Sequence, residues 1–134
     1  MKIVALICRI LLGLIFVVFG LNGFFHFIPM KGPMPPPDSL AGQFSSSMMK
    51  SGWMAHVSFF QVVGGVLVWI GGTAPLGLVL LGPIIANILM FHILMMSGHG
   101  IGMGAFAALL EIILIWAYRA NFAGIFTMRA RPVA

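Results

Sequence analysis

The chain has 134 residues, 61% of them hydrophobic and 7% charged. A soluble domain carries roughly 25% charged residues, so this chain lacks the polar surface to cover itself in water and is expected to meet lipid instead. Its formal charge of +5 does not point to nucleic acid, which needs basic residues gathered on one accessible surface; here Lys2, Arg9, Arg119, Arg129 and Arg131 stand towards the ends of apolar runs.

The first apolar run covers about residues 3–28. It starts like a secretory signal, yet it is longer than one and has no clear small-residue cleavage site, so it is expected to remain as a membrane helix. Cys8 is the single cysteine and leaves no disulfide, CxxC pair or thiolate cluster to be built within the chain. Arg9, Gly13, Phe16, Gly20 and Gly23 recur at helical spacing on one side, where small residues let another backbone approach. Asn22 and His26 share a different face, rotated by about 100° or more at 100° per residue, so the two faces cannot both point to the centre. Residues 29–52 hold Lys31, the run Pro35-Pro36-Pro37, Asp38, the triple Ser45-Ser46-Ser47 and Lys50, and are expected to form an outer loop.

The second run, about residues 53–72, places Gln61, Gly64, Gly65, Val68 and Gly72 at helical spacing. The third, about 75–97, contains Pro83, which cannot donate to the carbonyl of Val79 and so predicts a kink just before Asn87 and His92. The fourth, about 101–119, carries Glu111 near its middle. A basic tail follows over 120–134. Each run is close to the ~20 residues that span the hydrocarbon core. The short connections Gly72-Thr73-Ala74-Pro75 and Gly98-His99-Gly100 predict antiparallel neighbours. The glycine series from Gly98 to Gly104 follows no strand and is a hairpin rather than a dinucleotide fingerprint. The fold expected is therefore an all-α, antiparallel four-helix bundle in the membrane, a single domain over residues 1–134. Five Lys and Arg at the terminal side against two in the long loop place both termini in the cytoplasm.

Ionisable groups at bilayer depth are costly, and each needs a partner or a purpose. Arg9 lies at a depth comparable to Glu111, which suggests a structural ion pair; the other reading of Glu111 is a proton-handling carboxyl. Asn22, His26, Gln61, Asn87, His92 and Glu111 would form a polar column if their helices close around one interior, and that column is the candidate cofactor pocket. For each amide alone, an interhelical hydrogen bond is the simpler role. No metal site is assigned. His26 and His92 are the histidines that a haem would use, and His92, Met96, His99 and Met103 would offer a soft site for copper if the helix continued through Gly98.

The string Arg9-Ile10-Leu11-Leu12-Gly13-Leu14-Ile15-Phe16, then Phe19-Gly20-Leu21-Asn22-Gly23-Phe24 and Pro35-Pro36-Pro37, resembles the first helix and outer loop of DoxX-like proteins. Val62-Val63-Gly64-Gly65, Pro83 to Leu89 with Phe91-His92, and Leu110-Glu111 through Trp116-Ala117-Tyr118-Arg119 resemble the family's later helices in order, over about residues 3–119. Gln61 departs from the Glu often found before the Val-Gly-Gly stretch. The resemblance implies a small subunit of a bacterial-type inner-membrane redox complex linked to quinone. Its partners would be the lipid bilayer and other membrane subunits, with quinone as the cofactor and haem or copper as lesser candidates. A purely structural or assembly subunit is the rival expectation, and a small transporter working as an oligomer is a third. No self-sufficient catalytic constellation is present, so enzymatic activity is expected only within a complex.

Overall fold

The computed structural model describes residues 1–29 and 34–133; Met30 and Lys31 of the expected loop lie outside the described residues. The fold is all-α, with no strand among the described residues. Four long helices form the body: α1 (Lys2–Phe25), α3 (Trp53–Trp69), α4 (Ala74–Leu94) and α5 (Gly102–Ala117). They pack in a ring in which α1 touches α3 and α5, and α4 touches the same two. Leu12, Phe16, Val68, Leu78, Leu81, Ile85, Leu110 and Leu114 fill the centre.

Two helical stretches, Lys2–Phe25 and Gly71–Leu94, are each long and apolar enough to cross a membrane. Two more candidates arise only if bent pairs are counted, Leu40–Lys50 with α3 (81°) and α5 with the segment Arg119–Phe126 (78°). The reason is length. At ~1.5 Å per residue, helices the size of α3 and α5 reach roughly 25 Å, short of the ~30 Å hydrocarbon core.

The segment expected as an outer loop is not a plain loop. It contains α2 (Leu40–Lys50), opened by Ser39, whose Oγ accepts from the N–H of Gly42 at 3.1 Å. The proline run folds back over Gly42, where an added Cβ would stand 2.9 Å from the carbonyl carbon of Pro36. Phe44 leans on Phe91 of α4 with ring centroids 5.7 Å apart, so α2 packs beside the C-terminal end of α4. The expected tail likewise turns first through α6 (Arg119–Phe122) and a 3-10 turn (Ala123–Phe126).

The tightest seams follow the glycines. Gly65 faces α1: a Cβ there would meet Gly13 O at 3.0 Å and Val17 Cγ2 at 2.9 Å. Its neighbour Gly64 faces α4, with Leu81 Cδ2 at 2.7 Å from the same point, and Gly77 of α4 answers with Gly64 O at 2.8 Å. Two consecutive residues on α3 thus let two different helices come close. Gly72, expected on this face, lies beyond the end of α3 and is exposed.

Candidate functional site

Arg9 settles the C-terminal end of α3. A helix leaves its last carbonyls without intrahelical donors, and where they are buried other groups must serve them. Here each is served: Val66 O by the N–H of Ile70 (3.1 Å), Leu67 O by Thr73 Oγ1 (2.9 Å), Val68 O by Arg9 Nε (2.9 Å), and Trp69 O by Arg9 Nη2. Trp69 in turn donates from Nε1 to Ile10 O at 3.1 Å, stapling α3 to α1. The expected Arg9–Glu111 pair is therefore not formed. The guanidinium is held by the end of α3, where a positive charge also meets the negative end of the helix.

Asn22 and His26 have a local task. Asn22 Oδ1 accepts from the N–H of Ile28 at 2.6 Å and Asn22 O from the N–H of His26 at 2.9 Å, while His26 turns left-handed (φ 52°) and ends α1 on the exposed surface. Asn87 is also exposed, on the outward side of α4. The polar column expected from Asn22, His26, Gln61, Asn87, His92 and Glu111 is thus not assembled. Only Gln61 and Glu111 of the set are buried, 8% and 5% exposed.

His92 is half-buried; its Nδ1 lies 2.8 Å from Ile88 O, and its ring stands edge-on to Phe91. His56 and His99 use Nδ1 in the same way, towards Gly52 O (3.1 Å) and Met96 O (2.8 Å). A carbonyl only accepts, so in each ring Nδ1 carries the proton. The α4 helix stops at Leu94 and the chain turns through Ser97 and Gly98 with positive φ, so the continuous helical face that would align His92, Met96, His99 and Met103 for copper does not exist. Among the described residues no three His, Cys, Asp or Glu side chains come together.

Glu111 is different in kind. Both carboxyl oxygens are buried and have no hydrogen-bond partner among the described residues. It sits on the inward face of α5 with Gly104, Ala107, Leu110 and Leu114. Opposite is Gly82 of α4, where an added Cβ would stand 3.5 Å from Oε1. Beside it opens a cleft of about 250 Å³, lined by Leu78, Val79, Gly82, Pro83, Ile115 and the C-terminal residues Phe122, Ile125 and Phe126. Pro83, inside α4, removes the N–H that would serve Val79 O. The wall thus carries one unpartnered carboxyl on an otherwise apolar surface.

Sequence reasoning missed one more buried polar group. Ser58 is 0% exposed, and its Oγ has no partner among the described residues; it lies against Gly23 of α1. Its spacing to Gln61 and Gly65, three and seven residues on, was the available signal. Comparison with protein-family models, with curated proteins and with solved structures gives no match to this chain.

Proposed function

We propose that the protein is a multi-pass subunit of a quinone-linked redox complex in a bacterial-type inner membrane, akin to DoxX-like proteins. In this reading α1, the α2–α3 pair, α4 and the α5–α6 pair make four crossings, and both termini face the cytoplasm. The single observation that carries it is Glu111, a carboxyl buried without a polar partner beside an apolar cleft. A group so costly to bury is kept where it exchanges a proton or binds something. Quinone reduction takes up protons as electrons arrive, and in this scheme the electrons are the partner subunits' and Glu111 handles the proton. Asn22, His26 and His92 serve chain turns and helix ends, while Gln61 lies buried on the inward face of α3.

The experiment is native purification in mild detergent with lipid extraction and mass spectrometry. Quinone and a redox partner should co-purify with the chain. A preparation free of both at stoichiometric levels would remove this reading. A structural or assembly subunit is the second reading, and the exposed amide of Asn87 favours it, because a polar group facing lipid gains from a hydrogen bond to a neighbouring protein. It expects partners but no quinone, and loss of those partners in Asn87→Leu.

A further inference from the structure

We infer that the cleft beside Glu111 is loaded sideways from the lipid, and that its occupant is a flat apolar molecule with a carbonyl or hydroxyl on its edge, as in a quinone head; this rests on the quinone-linked reading and adds to it a place and a route. Three observations converge. The carboxyl is 5% exposed with both oxygens unpartnered, so the bundle itself leaves its hydrogen-bonding capacity unused. Gly82 faces the carboxyl, and an added Cβ there would already touch Glu111 Oε1 at an ordinary contact distance of 3.5 Å, so a longer side chain at this position would fill the room in front of it. Finally, Val79, Pro83 and Ile115 on its rim are exposed on the outside of the bundle, which in a bilayer is the acyl-chain side.

The chemistry of the wall selects the class. A protonated carboxyl donates one hydrogen bond, which a carbonyl accepts, and its other oxygen accepts one, which a hydroxyl donates. A molecule that alternates between those two edge groups can satisfy the same wall in both states. At about 250 Å³ the cleft lies below the roughly 300–1,000 Å³ of drug-sized ligand sites, which suits a single ring and is too small for a macrocycle. Phe122, Ile125 and Phe126 close one side, so the C-terminal segment is part of the site.

The test uses the full chain in phosphatidylcholine nanodiscs with a photoreactive short-tailed azidoquinone, followed by peptide mapping. Label is expected within residues 78–83 and 115–126, and Gly82→Leu and Glu111→Met should each lower it roughly tenfold. If circular dichroism shows Gly82→Leu unfolded, Glu111→Met, of similar side-chain length, carries the test. A sulfonated quinone that stays in water should not compete, and competition by it overturns the lipid route. Label at the outer end near His26 and His92, or equal label in a folded variant and the parent, overturns the site. Labelling needs no partner protein. Turnover of the native complex that survives Glu111→Met while label is lost would sink the redox reading and leave the cleft standing, and turnover lost with label unchanged would do the reverse.

Discussion

The seam between α1 and α3 and the seam between α4 and α5 are built on opposite plans. In the first, glycines bring backbones to van der Waals contact, and Arg9, Trp69 and Thr73 satisfy the helix end. In the second, a proline removes a donor, a glycine leaves space, and a carboxyl lies buried with nothing to bond. The end of α3 is matched group for group, while in the same seam Ser58 Oγ stays buried without a partner against Gly23. Where groups are left over, the fold forgoes the stability that matched groups would add.

The contrast can be broken most severely at Gly65. Gly65→Leu should cost more than about 3 kcal/mol, since backbone and Val17 already stand within contact of the first added carbon; thermal unfolding in detergent, followed by circular dichroism, measures it, and a near-neutral result would show that the seam is loose. Next comes Arg9→Leu, which strips the donors from Val68 O and Trp69 O and should cost about 2 kcal/mol in the same assay. The sign should reverse across the bundle: Glu111→Met replaces an orphan carboxyl by an apolar chain and should stabilise by about 1 kcal/mol, raising the melting temperature. Destabilisation there would mean that Glu111 does structural work after all. The smallest effect is expected from Asn87→Leu on the outer surface, within about 0.5 kcal/mol of the parent.

Much of this architecture could be read from the chain. The apolar runs gave α1, α3, α4 and α5, and the glycine spacing on α1 and α3 marked the face that is now the tight seam. Helix α2 escaped because the prolines and the serine triple resemble a linker, although Ser39 as a cap before eleven residues free of proline was a legible start signal. The Arg9–Glu111 pair failed for a general reason. Depth can be counted along a helix, but the direction in which a side chain leaves it depends on packing, and a helix end short of donors competes for the same guanidinium. Asn22 shows the same limit at smaller scale: its amide went to the chain's own turn, a bond between residues six apart that no helical periodicity displays.

Gly64 and Gly65 stand side by side, yet each belongs to a different neighbour. Since consecutive positions on a helix differ by ~100° in direction, both can do so at only one setting of α3 about its long axis. The segment is therefore keyed like a shaft in its slot. Inserting or deleting a single residue between Gln61 and Val68 would swing one of the two notches away from its mate, so this stretch is intolerant of any change in length even where it accepts changes in identity.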